Sequence, residues 1–268
     1  MARSTLTRPK ASERASSPSR RAGGSALVLA LLLPLAGCGS GQDESGDDKT
    51  ELTVLAASSL TDVYQDLAVS FEEENDADVT FSFGSSTDLA EQAADGAPGD
   101  VLATADETSM KVAEDAGVTG EALDFATNVM VIVTPAGNPA GIQSLDDLDD
   151  TTWVRCADEV PCGRVAQSIL EDNDISSEPV SLEEDVRSTL DKVISGEADA
   201  GLVYASDAVA AGDDVETIQI PGADKELTTY FVTTLEQSED ADLARKWVEL
   251  VASEEGGAAL TDAGFSLP

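Results

Sequence analysis

The chain has 268 residues, 41% of them hydrophobic, which supplies a sizeable core and excludes global disorder. Aromatics make up only 4%, and 15 Lys+Arg against 53 Asp+Glu set a net charge of −38, so base-stacking platforms and polyanionic partners are excluded. Histidine is absent, which removes His-dependent triads, the common zinc sets and haem ligation through His.

Residues 1–25 are basic and Ser-rich, with Arg3, Arg8, Lys10, Arg14, Arg20 and Arg21. An apolar run, Ala26–Ala36, leads to Gly37-Cys38. This run is too short for a permanent membrane-spanning helix, which needs about 20 residues. A basic head, a short apolar middle and small residues before a cut read as an export signal. Leu35-Ala36-Gly37-Cys38 resembles the lipobox of bacterial lipoproteins, which implies that Cys38 becomes the lipid-bearing first residue. Residues 1–38 are thus expected to be a lipoprotein signal peptide and 39–50 a flexible polar tether. The expected location is extracytoplasmic, lipid-anchored to the outer face of the cell membrane. Arg20-Arg21 hints at twin-arginine export, but the apolar residues expected just after the pair are missing. Beyond Cys38 the chain carries nine Lys/Arg and 52 Asp/Glu, a net of −43, which suits solubility in high salt or reflects an acidic lineage. Asp146-Asp147 and Asp149-Asp150 lack the alternating spacing of a calcium loop and read as a solvated face.

From Leu52 onward, strand-like and helix-like runs alternate. Leu52–Ala57 is a short apolar run, and Leu60, Val63, Leu67 and Phe71 follow at the spacing of one helical face. Val79–Phe83 is β-rich, Thr87–Ala94 a short helix, Val101–Ala105 a strand and Glu107–Ala116 a helix. Asn128–Thr134 reads as a buried strand ended by Pro135. Val165, Ile169 and Leu170 mark a later helix, and Val186, Leu190, Val193 and Ile194 another. Gly201–Tyr204, Val215–Ile220 and Thr229–Thr234 read as strands, and Leu243, Trp247 and Val251 as a last amphipathic helix. The alternation predicts an α/β fold with largely parallel sheets, in one sheet or two lobes. Two lobes place a ligand in a cleft where strand ends and helix starts converge.

Cys156 and Cys162 form an even pair at short separation, which in an oxidising compartment reads as a disulfide. With Cys38 as the lipid-bearing thiol, all three cysteines are then accounted for. The rival reading is a reactive thiol at Cys162.

Several strand-to-helix junctions share one local chemistry. In Ala56-Ala57-Ser58-Ser59-Leu60-Thr61-Asp62, Ser59 with Asp62 fits a capping box. In Gly84-Ser85-Ser86-Thr87-Asp88, Ser85 with Asp88 repeats the spacing. Pro161-Cys162-Gly163 opens a third helix and Glu183-Glu184-Asp185-Val186 a fourth. A helix start offers free N–H donors and partial positive charge, which suit an oxyanion without any Lys or Arg. Each start alone is an ordinary cap; their combination and order carry the signal.

That combination resembles the molybdate-binding proteins of ABC transporters, over roughly residues 51–268. The resemblance runs through Ala56-Ala57-Ser58-Ser59-Leu60, Phe83-Gly84-Ser85-Ser86, Gly96-Ala97-Pro98-Gly99-Asp100-Val101 and Ala105-Asp106. It continues through Glu184-Asp185-Val186-Arg187, Val203-Tyr204-Ala205-Ser206-Asp207-Ala208 and Ala263-Gly264-Phe265. It implies an α/β, two-lobed type II periplasmic-binding-protein-like fold with a ligand cleft between lobes. Lobe I would comprise 51–130 and 231–268, lobe II 131–230, with crossings at Asn128–Thr134 and Thr229–Thr234. Carried over residue by residue, Ser59 and Ser86 donate hydroxyls and amides, Cys162 and Val186 backbone N–H groups, and Tyr204 its phenol. Cys162 departs from the family, where a small residue usually follows the proline.

The implied function is capture of molybdate or tungstate, with no cofactor, and delivery to an ABC permease and its ATPase. The implied partners are the oxyanion, that permease and, through a lipid anchor, the membrane; the carrier is expected to be a monomer with no nucleic-acid partner. Donors without a carboxylate acceptor favour a fully ionised dianion over monohydrogen phosphate. Sulfate or another tetrahedral oxyanion is the nearest alternative. Ferric ion is set aside because only Tyr64, Tyr204 and Tyr230 are present. A thiol enzyme using Cys162, with Asp158 or Glu159 as base, and a purely structural surface lipoprotein are the remaining readings.

Overall fold

Residues 49–268 are described by the structure, a computed structural model. The export signal, Cys38 and nearly all of the tether lie outside the described residues. The first sheet is built from β1 (Thr50–Ala57), β2 (Ala77–Gly84), β3 (Val101–Thr104), β4 (Leu123–Asn128) and β10 (Thr228–Thr234). Its order is β2-β1-β3-β10-β4. The second is built from β5 (Met130–Pro135), β6 (Trp153–Cys156), β7 (Ser181–Glu183), β8 (Ala200–Tyr204) and β9 (Val215–Gln219), in the order β7-β6-β8-β5-β9. Helices α1 (Thr61–Asn75), α2 (Ser86–Ala94), α3 (Glu107–Ala116), α7 (Ala241–Val251) and α8 (Glu254–Asp262) accompany the first sheet. Helices α4 (Pro161–Asp172), α5 (Val186–Ile194) and α6 (Ala205–Ala211) accompany the second. The result is a two-lobed α/β molecule.

The sheets are mixed rather than largely parallel. β1 runs parallel to β2 and β3, and β6 parallel to β7 and β8. β10 is antiparallel to β3 and β4, and β5 antiparallel to β8 and β9. Each antiparallel strand is the one that enters its sheet from the other lobe, and the βαβ rule for parallel pairing does not govern such an entry. The stretch read as one strand, Asn128–Thr134, is the junction itself: β4 ends at Asn128, β5 starts at Met130, and Val129 alone joins them. The return passes through residues 220–227, so Thr229–Thr234 lies inside the first sheet and not between the lobes.

Periodicity placed the main core. On α1, Val63, Tyr64, Leu67 and Phe71 are buried along one stripe, and Asp76 ends the helix in a left-handed turn. Trp247 of α7 is fully buried beside Tyr64, Phe71 and Phe81, with ring centroids 5.1–5.6 Å away. In the second lobe Trp153 is equally buried, and its indole N–H donates to Ser177 Oγ at 3.0 Å. Burial of each large apolar side chain contributes roughly 1.5–3 kcal/mol. Sequence reading missed β4, β6, β7, α6 and α8. β7 has three residues, α6 is seven mostly small residues, and α8 carries Gly256-Gly257, so none shows a strong period.

Candidate functional site

The carboxyl ends of β1, β2 and β3 face those of β6, β7 and β8, and the loops that follow them converge on one small cavity. It measures about 20 Å³ and is lined by Ser58, Ser59, Ser85, Ser86, Ala105, Cys162, Asp185, Val186 and Tyr204, among others. All five residues expected to contact an oxyanion, Ser59, Ser86, Cys162, Val186 and Tyr204, are brought together there. The volume holds little more than a compact ion, since one water needs about 10–15 Å³.

Ser59 departs from its expected role as a cap. It lies in a 3-10 turn, Ser58–Leu60, and α1 starts after Leu60 with no side-chain cap. Ser59 Oγ instead meets Tyr230 Oη at 2.8 Å, and both groups are buried. Burial pushes the Tyr230 phenol well up, so it keeps its proton. With Tyr230 donating, the Ser59 hydroxyl proton is free to point at a ligand. Tyr230 does not line the cavity but holds Ser59, a role that sequence reasoning did not assign, because its position inside a strand reads as plain core.

Ser85 is the N-cap of α2, its Oγ accepting from the Asp88 amide at 3.5 Å. That leaves Ser86 as the first helical residue. Its Oγ accepts from the Ala105 amide at 2.9 Å, so its own proton remains available. Pro161 opens α4 at the position where a missing N–H is harmless, and Cys162 follows. Asp185 caps α5 by accepting from the Ser188 amide at 2.9 Å, which places Val186 first in that helix. First-turn amides have no intrahelical acceptor, so Ser86, Cys162 and Val186 present N–H groups to the cavity region.

Tyr204 ends β8, is 1% exposed, and its hydroxyl has no partner among the described residues. Burial raises its pKa well above the ordinary phenol value, which keeps it a donor. A buried, unpaired hydroxyl costs about 1–3 kcal/mol unless something accepts from it. A ligand oxygen would meet that need.

Cys156 and Cys162 are joined as a disulfide, with Cα atoms 5.7 Å apart. Neither sulfur is therefore a thiol. The bridge ties the end of β6 to the start of α4 and, by loop closure, is worth about 2 kcal/mol. Arg155 braces the same loop, donating to the Cys156 carbonyl at 2.8 Å and to Asp158 at 2.7 Å.

Charge separates this cavity from its larger neighbour. The neighbour measures about 370 Å³, shares Ser59, and is lined by Asp62, Asp66 and Asp262 with Arg187 as the only cation. Three carboxylates repel an anion there. The small cavity offers hydroxyls and amides; it also has one carboxylate in its lining, Asp185, which departs from the expectation of donors alone and whose Oδ1 accepts from the Ser188 amide. Its lining is rich in hydroxyls and backbone amides and holds no Lys or Arg.

A family model described as bacterial extracellular solute-binding protein matches residues 52–266. The molybdate-binding protein ModA of Mycobacterium tuberculosis (strain ATCC 25618 / H37Rv) is 37% identical over 252 residues, 90% of this chain and 97% of that protein. ModA of Escherichia coli (strain K12) is 37% identical over 184 residues, 61% of this chain and 69% of that protein. Among solved structures, the periplasmic molybdate-binding protein of Azotobacter vinelandii matches with a TM-score of 0.73 at 21% identity, over 81% of this chain and 99% of that one. A likeness at that identity speaks to the fold.

Proposed function

The chain belongs to the bacterial extracellular solute-binding proteins, and within that family we propose that it captures molybdate, or tungstate, by neutral donors at helix starts and hands it to an ABC permease. The observation that carries the site is the convergence of Ser59, Ser86, Cys162, Val186 and Tyr204 on one cavity that no Lys or Arg lines. Amides cannot lose a proton and hydroxyls rotate to fit, so the site selects a fully deprotonated tetrahedral anion by geometry. Water exclusion on closure strengthens each of these bonds. We assign the first lobe to 51–128 with 228–268 and the second to 130–219, pivoting at Val129 and within 220–227. The disulfide supports a binding role without catalysis, since a thiol mechanism would need Cys162 free. The carrier acts as a monomer.

Calorimetric titration with molybdate, tungstate and sulfate at matched ionic strength tests this reading. One-to-one binding of molybdate and tungstate with sulfate silent is expected. Ser59→Ala and Ser86→Ala should each weaken binding by about 1–3 kcal/mol, while Val186→Ala, which keeps its amide, should be nearly silent. Unchanged affinity in both serine variants would remove the assigned site.

The protein is extracytoplasmic, and the lipobox-like sequence supports attachment through Cys38. With wild type in the membrane fraction, Cys38→Ser should appear in the soluble extracytoplasmic fraction. Identical fractionation of the two would contradict the anchor.

A further inference from the structure

Among the described residues, six ion pairs lie within one lobe and two join the lobes. The two that join them are Arg164–Asp106 and Arg187–Asp62. Arg164 follows Cys162 by two residues on α4. Its Nε and Nη2 both donate to Asp106 Oδ2, at 2.9 and 2.6 Å. Asp106 Oδ1 meanwhile accepts from the Ser109 amide at 2.8 Å as the N-cap of α3, so the carboxylate is fixed before the arginine reaches it. Arg164 also donates through Nη1 to the Glu159 carbonyl, which receives Thr87 Oγ1 from the first lobe at 3.0 Å. On the other side, Arg187 follows Val186 directly and pairs with Asp62 of α1. Its Nε lies 3.0 Å from Asp207, a fully buried carboxylate of its own lobe.

The placement is the same at both points. Each arginine sits within two residues of an assigned amide donor. Each aspartate sits beside a donor of the facing lobe: Asp62 three residues past Ser59, Asp106 next to Ala105, whose amide holds Ser86 Oγ. Neither arginine lines the small cavity. Beyond Cys38 the chain carries nine bases against 52 acids, so closing the lobes brings like charges together. Two of those nine bases are spent on the only described ion pairs that oppose this repulsion.

We infer that Arg164 and Arg187 are positioning residues, a two-point clasp that holds the lobes shut over the anion and sets how slowly it leaves. This rests on the oxyanion-capture reading above. The clasp acts on closure rather than on ligand contact, so its loss falls on release and spares encounter. Both arginines are partly exposed, at 30% and 23%, so added salt weakens the clasp.

The test compares wild type with Arg164→Gln, Arg187→Gln and the double variant, by small-angle scattering and by stopped-flow measurement of molybdate association and release. Wild type is first titrated with molybdate. Absence of binding overturns the capture reading alone, and scattering then decides the clasp. The double variant is expected to show a larger radius of gyration than wild type in the same buffer. Release should be at least tenfold faster in each single variant, with association within twofold and unchanged circular dichroism. Lysine at either position keeps the charge and should recover much of the slow release. Adding Asp106→Asn to Arg164→Gln should change release by less than twofold further, because the pair is already broken. Scattering that superposes on wild type, or release within twofold of it in the double variant, overturns the clasp.

Discussion

Gly163→Ala is expected to abolish measurable molybdate binding and to lower stability by about 3 kcal/mol or more. A Cβ at this position would stand 1.7 Å from the Ala157 carbonyl oxygen, 2.5 Å from its carbon and 3.1 Å from the Cys156 carbonyl oxygen. All three are backbone atoms. They have nowhere to go, because the 156–162 disulfide closes the loop and Arg155 is bonded to both Cys156 and Asp158 within it. The first turn of α4 must therefore shift by more than an ångström, and the Cys162 amide shifts with it. Directional donors tolerate no such displacement. Thermal unfolding and calorimetry on the purified variant check both halves. A melting temperature and affinity matching wild type would show that the loop does not press on Gly163.

The second large effect is a pH dependence carried by Asp207. This carboxylate is fully buried at the start of α6, accepts from the Tyr204 amide at 3.2 Å and lies 3.0 Å from Arg187 Nε. Burial pushes its pKa from the ordinary 3.8 up to about 7, while Arg187 and the Tyr204 amide pull it back and Asp185 and Asp62 add to the rise. Tyr230 also faces it and stays neutral. The folded protein thus keeps this proton up to about pH 7, whereas the unfolded chain releases it near 3.8. Between those values the folded state binds more protons, so stability falls as pH rises. Asp207→Asn removes that slope. Relative to wild type, the variant should gain on the order of 3 kcal/mol between pH 5 and pH 8, read from urea unfolding at each pH. Parallel stability profiles would mean that Asp207 does not titrate in this window.

Much of the site was legible because its chemistry lives at helix starts, and helix starts leave marks in sequence. Ser85 with Asp88 could be placed from capping spacing, and residues 183–186 could be read as a helix start, where the structure makes Asp185 the cap. Pro161 announced the start of α4, while the donor role of Cys162 came from the family resemblance. Ser59 was selected by the same capping logic, yet it works by a different one: its hydroxyl is held by Tyr230, 171 residues away. No local pattern encodes a pairing between a turn and a strand of such separation. The same gap hid the lobe-joining arginines, since Arg164 and Asp106 are ordinary surface charges until the fold brings them together. Strand direction failed for a related reason. Alternation of strand and helix predicts parallel neighbours within a lobe, but it is silent about β5 and β10, which arrive from elsewhere.

The two tryptophans of the chain are divided between the lobes, Trp247 in the first and Trp153 in the second, and each is fully sealed from water. Intrinsic emission is therefore a two-channel optical reporter already installed in the protein. Phe in place of either indole leaves one lobe dark and the other in view. Comparing the two single-emitter curves distinguishes a molecule that melts as one cooperative unit from one whose halves come apart in sequence.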